Sequence, residues 1–204
     1  MEKEIRSLST FEVRQIGEGE EKQTHIQGYA LIFDTMSEDM GFREIISKGA
    51  LDNTDMSDVI LKFDHDKILA RNNKKDGSGS LRLTVDDKGL FFDAIPTDTT
   101  YARDLITNME SGIISKCSFA FRLDWSDDDA QTWDWDDGER GFDLRTIRKI
   151  SSISDVSIVI NPAYKSTTST VYQRSKENHL EELEEAKADE IRKLEINLMK
   201  LELS

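Results

Sequence analysis

The stretch Val59-Ile60-Leu61-Lys62-Phe63-Asp64-His65-Asp66 constrains this chain more than any other: it is an apolar run of strand length that delivers a histidine to its end. A run of that length and character reads as a buried strand. Histidine titrates near neutral pH, so it can take a proton from a hydroxyl and return it to a leaving group within one cycle. His65 is therefore the candidate base. The chain has two other histidines, His25 and His179. A lone histidine is more often structural than catalytic, so the reading depends on partners supplied from elsewhere.

The segments around this stretch are extended and separated by turn residues. Phe11, Val13 and Ile16 alternate loosely, Gly17 to Glu21 interrupts them, and Thr24 to Phe33 resumes the pattern, which predicts an early hairpin. Gly28 within the second arm predicts a bulge or a close backbone approach. Phe42 to Ile46 is a short extended piece. Leu81, Leu83 and Val85 rise to a turn at Asp87-Lys88-Gly89, and Leu90 to Ile95 descends until Pro96 removes a donor. Ala102, Leu105, Ile106 and Met109 then follow helical spacing, with Asp98 or Thr99 as cap and Gly112 as stop. Ile113 to Trp125, Gly141 to Ile147 and Ile153 to Ile160 are further strand regions, and the β-branched Thr167 to Tyr172 reads as a last short strand. Asn72 to Gly79 is polar and glycine-rich and reads as an exposed loop.

Length and charge narrow the functional classes. At 204 residues the chain holds one well-buried domain with an appendage. A formal charge of −14 argues against nucleic-acid binding, which needs clustered Lys and Arg. Cys117 is the single cysteine, so neither an intramolecular disulfide nor a cysteine-rich metal site is possible, and a reducing interior fits. The charged first ten residues and the lack of a long apolar run read as a soluble, unexported protein with no membrane partner.

Two segments stand apart. Between Asp124 and Glu139, eight acidic residues interleave with Trp125, Trp133 and Trp135, which reads as a solvated loop whose tryptophans fold back on the body. The spacing does not match an EF-hand loop, and no metal or other cofactor is expected. From Lys176 to Leu203 the chain turns to Glu, Lys and Leu, with Ile191, Leu194, Leu198 and Leu201 spaced as the seam of an amphipathic helix. That seam needs a partner: this domain, a second copy or another protein.

Partners for His65 come from two later strands. Ser118 lies in Ile114 to Phe121, a nucleophile type within apolar strand sequence that needs an adjacent base. Asp155 lies in Ile153 to Val159, where period-two alternation puts it on one face with Ile153, Ser157 and Val159. A carboxylate in that row is costly unless paired, and accepting the second N–H of an imidazole would pair it. Ser118 reads equally as a small strand residue, and Asp155 as a strand end or a partner of Arg145 or Arg148. Asp64 and Asp66 are disfavoured as the orienting carboxylate because, in an extended segment, neighbours of His65 point to the other face.

Several motifs together, in order, over roughly residues 8 to 172, resemble the phage prohead (capsid-maturation) proteases, serine peptidases whose fold is similar to that of the herpesvirus capsid protease, assemblin. They are Gly28-Tyr29-Ala30 with Phe33-Asp34, Phe42-Arg43-Glu44 followed by Gly49-Ala50-Leu51, Phe63-Asp64-His65-Asp66, Tyr101 to Leu105, Ile114 to Phe121 around Ser118, and Ile153 to Val159 with Asn161-Pro162-Ala163-Tyr164. The resemblance implies an α+β fold, mainly antiparallel β, with an assemblin-like closed or partly open β-barrel and flanking helices, plus the C-terminal amphipathic helix. It divides the chain into a protease domain, 1–172, and a helical tail, 173–204. It implies His65 as base and Ser118 as nucleophile. The family usually has an acidic residue before Val-Ser in the late strand, where Asp155 stands; assemblin uses a second histidine at the comparable stage. Backbone amides near Ser118 are the expected oxyanion donors, with Arg145 or Arg148 as weaker candidates. The implied partners are the major capsid protein and scaffold as substrates, and the chain itself, inside an assembling procapsid in the host cytoplasm. The tail is expected to serve encapsidation or self-association. A non-enzymatic capsid-assembly or scaffolding protein with a protease-like fold is the alternative, and a calcium-binding β domain a third reading.

Overall fold

The structure, a computed structural model, describes residues 3–8, 11–19, 22–72, 79–160 and 167–202. The glycine-rich part of the Asn72 to Gly79 loop and the Asn161 to Tyr164 motif lie outside them. The chain divides into two compact units, 1–167 and 168–204.

Among its described residues the first unit holds twelve strands and a helix: β1 (Glu4–Leu8), β2 (Phe11–Ile16), β3 (Gln23–Ile32), β4 (Arg43–Ile46), β5 (Ile60–Phe63), β6 (Lys67–Arg71), β7 (Leu81–Val85), β8 (Gly89–Ala94), α1 (Thr100–Glu110), β9 (Lys116–Arg122), β10 (Gln131–Asp134), β11 (Leu144–Ile147) and β12 (Ser152–Val159). Both expected hairpins form, β2 against β3 and β7 against β8. The predicted bulge falls between Tyr29 and Leu31, just past Gly28. Gly89 opens β8 because a Cβ there would sit 2.0 Å from the Leu31 carbonyl oxygen. Helix α1 takes Thr99 as its cap, whose hydroxyl accepts from the Ala102 amide, and it ends at Gly112 with φ +73°.

Hydrogen bonding sorts the described strands into three sheets, of order β1-β9-β12-β5-β6, β10-β11-β4 and β2-β3-β8-β7. Pairing is antiparallel except for β12 with β5 and β11 with β4. The fold is α+β and mainly antiparallel, as expected, but no sheet closes on itself, so the barrel is corrected to three open sheets. The far edge of the five-stranded sheet shows why. The Leu69 carbonyl of β6 accepts from the amide and hydroxyl of Thr97, in the connection after β8. Pro96 beside it has no N–H, so this contact does not extend into a ladder. Leu61, Phe119, Phe121, Val156 and Ile158 of the five-stranded sheet share one core with Ile26, Leu31, Leu90 and Phe92 of the four-stranded sheet and with Leu105 and Met109 of α1.

The second unit is one helix, α2 (Thr167–Glu202). The strand expected at Thr167 to Tyr172 is its first turns instead. Extending a helix already formed by Glu, Lys and Leu costs little per residue, and that outweighs the weak strand preference of Thr and Val. Ile191 and Leu194 of the expected seam are 58% and 57% exposed, while the side chains of Leu198 and Leu201 lie outside the described residues.

Three elements escape the sequence reading: β1, β6 and β10. The first matters most, because it brings charge into the interior. Arg6 binds Glu44 in a fork, Nε to Oε1 at 2.5 Å and Nη2 to Oε2 at 2.6 Å, and gives a further bond to Glu4 at 2.7 Å. Arg145 holds both Glu4 oxygens, at 2.5 and 2.9 Å, and reaches Glu44 at 3.0 Å. All four side chains are buried. Burial alone would raise the Glu4 carboxyl, but the charge and hydrogen bonds of Arg145, then of Arg6, outweigh it and hold the group well below its ordinary 4.5. A carboxyl depressed in the folded state stabilises above its unfolded value, and that contribution is lost as pH falls through the folded one. Replacing Glu4 by Gln should therefore lower unfolding free energy by about 3–5 kcal/mol at neutral pH, since it strands a buried arginine. It should also flatten the decline of stability below about pH 4.5, both read from urea midpoints across pH.

Candidate active site

Each of the three proposed site residues is set by a different local device. His65 does not ride the end of an extended strand. Asp64 and His65 both adopt left-handed backbone, φ 53° and 58°, at the centre of a turn closed by Asp66 N to Phe63 O at 3.1 Å. This is the double positive-φ pattern of a type I′ hairpin turn, tolerated by Asp and His better than by branched residues. Asp64 N also donates to Ile158 O of β12 at 2.8 Å, so the turn is fastened to the neighbouring strand. The extended segment expected around His65 is therefore corrected to a turn: the turn, not strand alternation, aims the imidazole, and alternation gives no ground for setting Asp64 and Asp66 aside.

Ser118 and Asp155 come from adjacent central strands. In the five-stranded sheet, Ser118 pairs with Ser157, and Ala120 with Asp155. Paired residues share a face, so Ser118, Ala120, Asp155 and Ser157 form one surface, while Cys117, Phe119, Val156 and Ile158 point to the core. A register shift between Ile153 and Asp155 resets the alternation at Ser154.

The structure brings His65, Ser118 and Asp155 together. The His65 Nδ1 lies 2.7 Å from Asp155 Oδ1, and His65 Nε2 lies 3.1 Å from Ser118 Oγ. Ser157 Oγ donates to Asp155 Oδ1 at 3.1 Å and sits 3.0 Å from His65 Nδ1. An ionised Asp155 accepts the Nδ1 proton, which leaves the Nε2 lone pair facing the Ser118 hydroxyl. The Asp155 side chain is 1% exposed, and its second oxygen accepts from Lys3 Nζ at 2.6 Å, with Lys62 Nζ at 3.7 Å. Burial pushes this carboxyl up, but hydrogen bonds from His65 and Lys3, followed by their charges, hold it well below the ordinary carboxylate range. Such an arrangement can move a proton from a hydroxyl to an imidazole whose cationic form is stabilised.

Other sequence candidates fall elsewhere. Arg145 gives Nε to Gln131, Nη1 to Glu4 and Glu44 and Nη2 to Glu4, so its guanidinium is committed to the buried charge cluster rather than to an oxyanion. Arg148 is exposed, as is Ser115. Cys117 is wholly buried, and burial pushes its thiol up to about 12. His25 pairs with Asp93 at 2.7 Å in the four-stranded sheet, and His179 lies on α2. In the acidic segment, Asp127 binds Lys149, Asp134 binds Arg140, and Trp133 stacks on Trp135 at 4.8 Å. Among the described residues no group of three or more His, Cys, Asp or Glu could hold a metal ion, and no described helix is long and apolar enough to cross a membrane. Sequence reasoning missed the role of Ser157, although alternation already placed it beside Asp155. It missed Lys62 and Lys3 too, and for Lys3 no local signal exists.

Comparison with known proteins gives three results. The profile of a family described as caudovirus prohead serine protease matches residues 9–182. Among solved structures, the capsid assembly protease of bacteriophage T4 is similar at 9% identity and a TM-score of 0.42, covering 77% of this chain and 99% of that one. No curated protein matches.

The contrast between Cys117 and its neighbour gives a direct check. At pH 8 the native protein should resist iodoacetamide at its single thiol and become alkylated only on unfolding, because neither a thiolate nor a path to it exists in the folded state. Intact mass before and after urea treatment reads this out.

Proposed function

The chain belongs to the caudovirus prohead serine proteases, and from that premise we propose that it is a serine endopeptidase whose catalytic residues are Ser118, His65 and Asp155. The observation that carries the reading is the unbroken contact from Ser118 Oγ through both imidazole nitrogens to a buried carboxylate. Arg6, Arg145 and Glu44 are as deeply buried, and the side-chain contacts that join them to one another, to Glu4 and to Gln131 are carboxylate, guanidinium and amide contacts.

The reaction is acyl transfer. Neutral His65 takes the Ser118 proton on Nε2 as Oγ attacks a peptide carbonyl, and Asp155 stabilises the imidazolium from the Nδ1 side. The proton passes to the leaving amine, which departs and leaves an ester on Ser118. Water then enters and gives a proton to His65 as it attacks the ester, and His65 returns that proton to Ser118 Oγ as the acyl group leaves as a carboxylic acid. Backbone amides near Ser118 are the expected oxyanion donors, Arg145 being committed to the buried charge cluster. Ser118 has no exposed surface, so substrate entry requires the groups over it to move.

Substrates consistent with the family are the scaffold, or a scaffold-like segment of the major capsid protein, and the chain itself, within an assembling procapsid in the host cytoplasm. On this reading residues 1–172 are the protease domain and 173–204 a tail that joins the chain to itself or to capsid proteins. The exposed Leu180, Leu183, Ile191 and Leu194 of α2 supply an apolar surface for it. The tail is a candidate for removal by self-cleavage.

Mass spectrometry of the chain's ends and of a co-expressed capsid protein tests the chemistry. Ser118→Ala and His65→Ala should each abolish processing, and Asp155→Asn should reduce kcat by about 10⁴-fold, because an amide cannot hold the required tautomer. Processing unchanged in both alanine variants would favour a non-enzymatic assembly protein. Deleting residues 176–204 should leave peptide hydrolysis intact while abolishing incorporation into proheads; normal incorporation would sink the role given to the tail.

A further inference from the structure

We propose that Lys3 is a positioning residue for the catalytic carboxylate, acting on His65 and Ser118 only through Asp155. The inference rests on the assignment of that triad above. Its basis is geometric. The ammonium of Lys3 donates to Asp155 Oδ2 at 2.6 Å, while Oδ1 receives His65 and Ser157. The two oxygens of a buried carboxylate are thus divided, one for the imidazole and one for Lys3, with the Ser154 hydroxyl more distant from the second at 3.5 Å.

The reach of Lys3 follows from the sheet. Ile5 of β1 pairs with Ala120 of β9, and Ala120 pairs with Asp155 of β12. Lys3 lies two residues before Ile5, so it shares the face that carries Ser118 and Asp155. Ala120 separates β1 from Asp155 with only a methyl group, which leaves room for a lysine stem to cross. Glu4 and Arg6 point to the opposite face, into the buried cluster with Glu44 and Arg145. That anchor fixes the register of β1, and the register delivers Lys3 to Asp155.

Holding Oδ2 denies the carboxylate rotation about its last torsion, so Oδ1 stays on the line of the imidazole N–H. Lys62 also faces Oδ2, but at 3.7 Å it is beyond hydrogen-bonding distance and cannot replace that bond. Among the described residues, the charges joined to His65 directly, through Asp155 or along the chain are Asp155, Lys3, Lys62, Asp64 and Asp66. Removing Lys3 subtracts a positive charge from this set, which favours the imidazolium and moves the acid limb of activity to higher pH.

The test uses the full chain with Lys3→Met and Lys3→Arg. In Lys3→Met, kcat on a peptide substrate should fall roughly ten- to a hundredfold, the loss of one charged hydrogen bond, with KM changed less than about twofold. The acid limb should move to higher pH. Lys3→Arg should restore most of kcat. In a Ser118→Ala background, NMR titration of the His65 imidazole should show the same upward shift with Lys3→Met, and this reading needs no turnover. Equal kcat and an unmoved His65 titration in Lys3→Met would overturn the proposal. A higher kcat would overturn it too, by making Lys3 a strap over the site. A parent chain that cleaves nothing would count against the protease reading alone, and the imidazole titration would still decide the role of Lys3.

Discussion

Four charges with almost no contact with water hold this fold in register. Moving an isolated carboxylate or guanidinium into a protein interior costs several kcal/mol, and an ion pair recovers it only when geometry and hydrogen bonding are nearly complete. Glu4, Arg6, Glu44 and Arg145 meet that condition as a closed set, because each carboxylate faces both guanidiniums and two of the contacts are forks. The set spans β1, β4 and β11, so it ties the edge of the five-stranded sheet to the three-stranded one. A one-residue slip of β1 would carry Glu4 and Arg6 to the opposite face and leave the buried Glu44 and Arg145 with only each other and Gln131. The register of β1 is therefore specified by charge where most strands are specified by apolar pattern.

That register divides the central sheet into two surfaces with different work. On one, Phe119, Phe121, Val156 and Ile158 pack into the shared core. The other carries Ser118, Asp155, Ser157 and the approach of Lys3. Polar groups so close to the core are tolerated because each has a partner: hydroxyls face imidazole or carboxylate, and the carboxylate is filled at both oxygens. The bulge at Ser154 contributes by shifting the alternation, so that Asp155 falls opposite Ala120 and in line with Ser157.

Much of this was legible in the sequence, and what was not has identifiable physical causes. Hairpins and α1 follow from local periodicity and caps, which a linear reading detects. Ser118, His65 and Asp155 are legible as candidates from residue type and family resemblance together, the carboxylate because a buried strand row demands a partner for it. Strand β1 was missed because Glu4 and Arg6 look like surface residues until Glu44 and Arg145, 38 and 141 residues away, are brought to them. The left-handed turn at Asp64-His65 was missed because neither residue requires positive φ; it is imposed by pairing of β5 with β6. The closed barrel failed for the same kind of reason, since whether two sheet edges meet depends on what covers them. Lys3 is the extreme case: its function depends on a register set by a different residue pair on the other face of its strand.

Selection of one hydroxyl among several follows from the two nitrogens of one imidazole. Ser115, Cys117, Ser118 and Ser157 lie within two adjacent strand regions, and composition offers no choice between them. Geometry does. Ser115 is exposed and Cys117 faces the core with its thiol raised beyond use as a nucleophile. Ser157 contacts the imidazole, but at Nδ1, where the proton is committed to Asp155. A nitrogen that carries a proton cannot take another from a hydroxyl, so Ser157 can support the carboxylate yet cannot be activated. Among the described residues only Ser118 meets Nε2, and Nε2 is a base only while Asp155 remains ionised and aligned with Nδ1. In the triad proposed here the choice of nucleophile thus rests on the carboxylate, and the carboxylate on a lysine placed by a buried charge cluster on the far side of its strand.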